Sequence, residues 1–484
     1  MNHPQDELSW TAQASAQRDE RMTDADKFDL AVLGVGPAGQ GAAIQAAKAG
    51  RRVLAVDRHE TAGGDSVLTN TIPSKTLREV VCYLTGVNQR TFYGDSYRLM
   101  SEITMPNLLE RTGHVINAES EVIKSALVRN GVQLATGIAS FLDPHRIEVV
   151  GQTSREYQAD NFVIAVGSHP ARPDSIPFEH ERVMDSDDIL NMRDVPKTMI
   201  IVGGGVIGSE YASIFSALGT KVVLIDGRHN LLEFLDNEVT DALKFHMRDT
   251  GVTLRLGHNV GAVDLDESGR PMATLENGAT ISADTLLFTI GRSGSTDKLN
   301  LAALGIEPDK RGRLAVDETF RTEMKHVFAV GDVIGQPALA ATASEQGRLA
   351  ARHAFGLPVT SVPWLIPIGI YTLPEISMVG KTEEQLTEQG IPYESGVARY
   401  REIARGNIVG DQFGMLKLLF NPNDRDLLGV HIFGSQATEL IHIGQAVLAL
   451  GGTIDYFVDT VFNYPTFAEC YKMAGLRGLN KLAN

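Results

Sequence analysis

Two glycine patterns carry most of the chemistry this chain can do. Gly34, Gly36 and Gly39 spell G-x-G-x-x-G, and Gly203, Gly205 and Gly208 spell it again. Glycine at the first position permits a tight turn. At the second it lets backbone approach a pyrophosphate, and at the third it lets helix and strand pack closely. The pyrophosphate then sits on a helix N-terminus, where N–H groups and the helix dipole favour negative charge. An acid follows each pattern, Asp57 and Asp226, placed to accept ribose hydroxyls. Arg228, two residues past Asp226, offers a charge-assisted partner for a ribose phosphate. The second site therefore reads as able to take either NAD(H) or NADP(H). The plain alternatives are a structural glycine turn and an exposed loop cation.

These residues need particular elements around them. The apolar run Phe28 to Leu33 reads as a buried parallel strand. An alanine-rich helix follows over 37–49, and a strand over 52–56 leads into Asp57. Gly63 and Gly64 mark a turn, and a helix is expected from Thr76, started by Pro73 and Ser74. Residues 100–130 read as helical, 131–143 as short strands, and 162–166 as a buried strand entering a loop at Gly167 and Ser168. The pattern then repeats, with a strand at 198–202, a helix to about Leu218, and a strand at 221–225 ending at Asp226. The strand 285–290, with Gly291 and Arg292, closes the insert. A strand at 327–330 ends in Gly331 and Asp332, with a helix expected from Pro337 to Phe355; Asp332 is placed for a polyol or ribose hydroxyl. Strands at 375–379, 416–420 and 427–433 and a helix over 438–450 form a last α+β region suited to dimer formation.

The expected fold class is α/β: two Rossmann-like dinucleotide-binding domains followed by an α+β dimerisation domain. The expected divisions are a flexible tail at 1–27, with Met22 an alternative start, a first nucleotide domain at 28–180 and 291–360, an inserted one at 181–290, and a dimerisation domain at 361–484. Gly64 and Gly167 join the candidate contacts of the first nucleotide, and Gly291 those of the second.

Composition narrows the classes. The formal net charge of -16 argues against broad binding to nucleic acid or anionic membranes. No apolar run reaches membrane-spanning length, and the polar start has no signal-peptide core. Cys82 and Cys470 are far apart and form no metal-binding or C-x-x-C pattern, so no metal is expected and both read as reduced thiols of a cytoplasmic protein.

Longer stretches now carry a resemblance. GVGPAG at 34–39, IPSK at 72–75, GGGVIGSEYASIF at 203–215, AVGDVIG at 329–335, GIYTLPEIS at 369–377 and FNYPT at 462–466 resemble the FAD-dependent pyridine nucleotide-disulfide oxidoreductase superfamily from about Phe28 to Leu482. DVIG and FNYPT are similar to its transhydrogenase branch. The resemblance implies FAD on the first domain, with Asp57 at the adenosine ribose and Asp332 at the ribityl chain. It implies NAD(H) and NADP(H) as substrates of the second, and a homodimer. It places Lys75 beside the flavin with Glu210 as its partner; a charged pair of this kind orients the ring and tunes hydride transfer.

The departures are as informative. The superfamily's redox cysteines fall on Ser66 and Thr71, and neither hydroxyl forms a disulfide. Its C-terminal histidine falls on Tyr464, while Glu469 keeps the place of the supporting glutamate. Tyrosine, with its high ordinary pKa, is a poor thiol base near neutrality. The transhydrogenase branch commonly keeps the first cysteine, so Asp65 and Ser66 depart from it as well. The expected activity is hydride transfer between NADPH and NAD+ through FAD. The alternatives are an NAD(P)H dehydrogenase reducing a quinone or other small acceptor, and a flavin-bound redox sensor.

Overall fold

The computed structural model describes residues 26–87, 93–94, 103–359 and 365–482. Most of the expected tail, residues 1–25 with Met22, lies outside them. Asp26 is buried and pairs with Arg155 at 2.6 Å, and Lys27 opens the first strand. The chain divides into two compact units, 1–73 with 113–169 and 292–362, and 74–112 with 170–291 and 363–484.

The first unit is built on a mixed seven-stranded sheet. Lys27–Leu33 lies between Val53–Asp57 and Ser154–Ile164, parallel to both. Leu30 to Leu33 are all buried, which is why the run is apolar without alternation. Ser154–Ile164 is longer than its sequence signal, because its first half has no continuous apolar run. That half pairs antiparallel with Arg146–Val150, and its last residues pair in parallel with Val327–Ala329. The helix Pro37–Lys48 crosses Ala340–Ala354 at glycines. A Cβ on Gly41 would stand 2.1 Å from the Ser344 carbonyl oxygen, and one on Gly347 1.9 Å from that of Ala38.

Two helix starts differ from expectation. The helix expected at Thr76 begins at Thr71 and runs to Thr85, taking Pro73 into its first turn, where a missing N–H costs no helical bond. The helix expected at Pro337 begins at Ala340. Asp332 sits instead in a short 3-10 turn, Gly331–Ile334, and Leu339 stays extended before the helix.

The second unit contains a parallel sheet in the order Thr253–Leu256, Lys221–Asp226, Thr198–Val202, Thr285–Phe288, Val183–Met184. This is again a Rossmann-type arrangement. An antiparallel meander, Val260–Leu265, Pro271–Leu275 and Thr280–Ser282, accompanies it. The unit also holds an antiparallel five-stranded sheet, in the order Ile368–Ile370, Ile376–Gly380, Leu427–Phe433, Met415–Phe420, Glu394–Arg399. Ala437–Ala449 and Glu469–Leu482 pack on this sheet. No described helix is long and apolar enough to cross a membrane.

A buried charge cluster ties these parts of the second unit together. Lys417 Nζ donates to both Asp236 oxygens at 2.8 and 3.0 Å and lies 3.3 Å from Glu238 and 3.2 Å from Glu383. Lys417 and Asp236 are each 1% exposed. Burial by itself raises the Asp236 carboxyl. The charges of His431 and Lys417 and the Lys417 hydrogen bonds outweigh it and hold the group below its ordinary value. A depressed carboxyl adds stability above the unfolded-state pKa and loses it as pH falls through the folded-state one. Lys417→Met, which strands the Asp236 charge, is therefore expected to cost about 3–5 kcal/mol near neutrality. Urea unfolding should show the gap between variant and parent narrowing as pH falls below the ordinary aspartate range.

Candidate functional site

In the first unit the predicted residues converge. Gly34, Gly36, Asp57, Gly64, Gly167 and Asp332 line one cavity. Gly34 adopts φ +102°, a left-handed conformation that favours glycine, and a Cβ there would lie 2.2 Å from the Ala165 carbonyl oxygen. Gly39 packs the helix on the turn: its Cβ would stand 1.8 Å from the Gly34 oxygen. Gly36 differs. It is extended (φ -70°, ψ -177°), and its Cβ would meet nothing closer than Gly63 O at 3.9 Å. Gly36 is thus the position kept bare toward the cavity.

Asp57 closes the loop from the next strand. Its Oδ2 accepts the Val35 N–H at 2.7 Å and its Oδ1 the His59 N–H at 3.0 Å. Asp332 Oδ2 accepts the Ser168 hydroxyl at 2.9 Å. Arg292 donates from Nε to Ser168 Oγ at 2.8 Å and from Nη2 to Ser168 O at 2.6 Å. In the sequence Ser168 and Arg292 stand out only as loop neighbours of Gly167 and Gly291. Their place after strand ends was the available signal for a site role. Ser66 and Thr71 also line the cavity, so hydroxyls stand where a dithiol would have to be.

The second glycine loop repeats the first. Gly203 has φ +111°, and a Cβ on Gly208 would lie 1.8 Å from the Gly203 oxygen. A Cβ on Gly205 would meet nothing within 4 Å, so this position is bare like Gly36. The Gly291 carbonyl accepts the Ala171 N–H at 3.2 Å. Asp226 and Arg228 are bonded to each other, with Arg228 Nη2 2.7 Å from Asp226 Oδ2 and Nε 2.9 Å from Oδ1. Burial raises the Asp226 carboxyl. The Arg228 side chain and the Arg228 and Gly204 amides reverse this and hold it below its ordinary value.

Lys75 and Glu210, 135 residues apart, meet within the second unit. Lys75 Nζ lies 2.6 Å from Glu210 Oε2. Glu210, only 4% exposed, uses its other oxygen to accept the Tyr371 N–H at 2.8 Å. Lys75 Nζ lies 5.0 Å from the Tyr371 ring centroid, completing a three-residue arrangement that local sequence could not reveal. The segment carrying Tyr371 is pinned in turn. Arg78 Nε donates to Thr372 O at 3.1 Å, and Leu373 N–H donates to Ser213 Oγ at 3.0 Å. The result is a lysine charge held in a fixed direction.

The remaining candidates stay apart. Tyr464 is 75% exposed, and no hydrogen bond joins it to Glu469 among the described residues. Glu469 Oε2 is buried without a hydrogen-bond partner among them. Both cysteines are free thiols. Burial pushes Cys82 up to about 11 and Cys470 up to about 12. Neither is an effective nucleophile near neutrality. The double variant C82S/C470S should keep its turnover within about twofold, measured as steady-state nicotinamide oxidation, since removing inert thiols touches no reacting group. No His/Cys/Asp/Glu group suited to a metal is found among the described residues.

Residues 28–347 match the family described as pyridine nucleotide-disulphide oxidoreductase, and 366–474 match its dimerisation domain. A soluble pyridine nucleotide transhydrogenase of Mycobacterium bovis is 54% identical over 94% of this chain and 98% of its own length. One from Photobacterium profundum is 46% identical, over 94% and 98% respectively. Among solved structures, LpdA from Mycobacterium tuberculosis aligns with a TM-score of 0.85 at 26% identity, over 93% of this chain and 99% of its own. The HOCl-induced flavoprotein disulfide reductase RclA from Escherichia coli aligns with a TM-score of 0.84 at 25% identity, with the same coverage. The C-terminal match makes the assembly a homodimer through the dimerisation domain. With two intact dinucleotide loops, a dimerisation domain and no cysteine at 66 or 71, the chain belongs to the pyridine nucleotide-disulphide oxidoreductase family, in the branch of its soluble pyridine nucleotide transhydrogenases.

Proposed function

We propose that this chain is an FAD-dependent oxidoreductase exchanging hydride between NADPH and NAD+, a soluble NAD(P)+ transhydrogenase of the cytoplasm. The observation that carries this reading is the pairing of two bare glycine loops, at Gly36 and Gly205, with hydroxyls in place of a redox dithiol at Ser66 and Thr71. Electrons then enter and leave by nicotinamide nucleotides, without a protein thiol. FAD, when bound, supplies a carrier that accepts hydride from one nicotinamide and returns it to another.

The first cavity fits that cofactor. Gly36 leaves space where a pyrophosphate would meet backbone N–H groups at the start of the helix Pro37–Lys48. Asp57 holds the loop through Val35 and retains acceptor capacity for ribose hydroxyls. Asp332, oriented by Ser168, is assigned to the ribityl chain. Gly34 and Gly39 shape the turn, Gly64 lets its loop approach Gly36, whose Cα would stand 2.9 Å from an added Cβ, and Gly167 keeps its wall low. In the second site Gly203, Gly205 and Gly208 take the nicotinamide nucleotide's pyrophosphate, Asp226 and Arg228 its adenosine end, and Gly291 the facing turn. The corresponding domains are 28–180 with 291–360 for FAD, 181–290 for NAD(P), and 361–484 for dimerisation.

Lys75 and Glu210 are the proposed catalytic pair. Glu210 fixes the lysine charge, and the Tyr371 amide fixes Glu210, so little reorganisation accompanies reaction. Tyr464 and Glu469 carry no step, since Ser66 and Thr71 leave no redox dithiol for them to serve.

The test is NADPH-driven reduction of thio-NAD+ by the flavin-loaded protein without quinone. Formation of thio-NADH supports the assignment. Flavin bleaching by NADPH with no thio-NADH, and turnover only when a quinone is added, would replace it with an NAD(P)H dehydrogenase.

A further inference from the structure

The Asp226 carboxylate is saturated. Its Oδ2 accepts the Gly204 N–H and Arg228 Nη2, and its Oδ1 accepts the Arg228 N–H at 2.8 Å and Arg228 Nε at 2.9 Å. An ionised carboxylate offers about four lone-pair positions. Four donors already use them. Asp57, at the same place after the first glycine loop, accepts one backbone N–H on each oxygen, from Val35 and His59. One position per oxygen remains there among the described residues. The two sites differ through the residue two places beyond the acid. In the first it is His59, whose Nε2 meets Arg58 Nε at 3.0 Å. In the second it is Arg228, which turns back on Asp226 with two guanidinium bonds.

From this contrast we infer that Arg228 is a gate on the adenosine end of the second nucleotide site, closed on Asp226 and opened by both nucleotides with opposite consequences. A ribose with a free 2′-hydroxyl reaches Asp226 only after the two guanidinium bonds break, which frees one position on each oxygen. The Gly204 and Arg228 backbone bonds stay and keep the carboxylate aimed. A ribose 2′-phosphate also requires the fork to open, but it then receives the released guanidinium in a charge-assisted contact. The Arg228 side chain is 44% exposed, so it has solvent-side room to turn, whereas Asp226 at 7% does not. Arg228 thus opposes NAD(H) and serves NADP(H), and one residue balances the two substrates of a transhydrogenase. The inference rests on the nucleotide assignment of this site.

The test uses the two adenosine halves, 5′-AMP and 2′,5′-ADP, titrated calorimetrically into the flavin-loaded protein, so that it does not depend on hydride transfer. Arg228→Met is expected to tighten 5′-AMP by about threefold or more and to weaken 2′,5′-ADP by about tenfold or more, the loss of one charge-assisted pair. Arg228→Lys, which keeps charge but cannot form the fork, should tighten 5′-AMP while losing less of the 2′,5′-ADP affinity. Asp226→Asn should weaken 5′-AMP and tighten 2′,5′-ADP. Equal weakening of both probes in R228M and R228K would show that Arg228 merely holds the adenosine or its loop, and would overturn the gate. Unchanged affinities would overturn it as well. Failure of the unaltered protein to bind either probe is a different result: it would remove the nucleotide assignment itself, and the gate with it.

Discussion

Gly36→Ala yields a chain that folds but does not retain FAD, and Gly205→Ala yields one that holds FAD but no longer takes nicotinamide nucleotides. Both glycines have backbone angles open to alanine, φ -70° and -75° in the extended region. Their added Cβ atoms meet no protein atom closer than 3.9 Å at Gly36 and none within 4 Å at Gly205. The new methyl instead occupies space assigned to a pyrophosphate, so affinity should fall by about a hundredfold or more, roughly 3 kcal/mol. The controls are Gly39→Ala and Gly208→Ala. Each places a Cβ 1.8 Å from a carbonyl oxygen of its own turn, which no rotamer relieves. Those chains should lose about 4 kcal/mol or more and accumulate little folded protein. The checks are flavin absorbance after gel filtration, thermal unfolding and nucleotide titration. Normal FAD retention in G36A would remove the pyrophosphate from that turn.

Lys75→Met should lower hydride transfer by about a hundredfold or more, the scale on which misplacing or removing a preorganised charge acts. A stability effect accompanies it and has to be separated. Glu210 is 4% exposed, and without Lys75 its charge keeps only the Tyr371 N–H. Breaking the pair should cost about 2–4 kcal/mol, below the range for a fully buried pair because Lys75 retains 24% exposure. The double variant K75M/E210Q resolves the two effects. The glutamine still accepts the Tyr371 N–H, and no buried charge is stranded, so most of the stability should return. The rate should not. Single-turnover reduction by NADPH, read beside a denaturation curve, measures both. Recovery of rate along with stability would reduce Lys75 and Glu210 to a structural salt bridge.

The two glycine loops were legible from sequence because every part of them is local. Strand, turn, helix and acid fall within about thirty residues, and each glycine answers a contact inside that span. The missing dithiol was equally legible, since Ser66 and Thr71 sit beside an intact IPSK and a hydroxyl cannot replace a thiol in redox chemistry. Helix starts were less so. Pro73 reads as a first residue, yet it is accepted within the first turn of Thr71–Thr85, where N–H groups have no helical partner in any case.

Only the tertiary structure could decide which distant groups satisfy one another. Tyr371 lies 161 residues from the Glu210 it anchors, and Lys417 lies 181 from Asp236. Neither relation leaves a periodicity or spacing in the chain, because it arises from packing between elements. Asp226 and Arg228 are the instructive middle case. Their types and their separation were plain, and they suggested two independent contacts for two nucleotides. The fold bonds them to each other and fills the carboxylate's acceptor positions. Sequence determined that an acid and a base stand two residues apart after the second glycine loop; backbone direction and side-chain reach decided that the two are bonded to each other rather than set side by side.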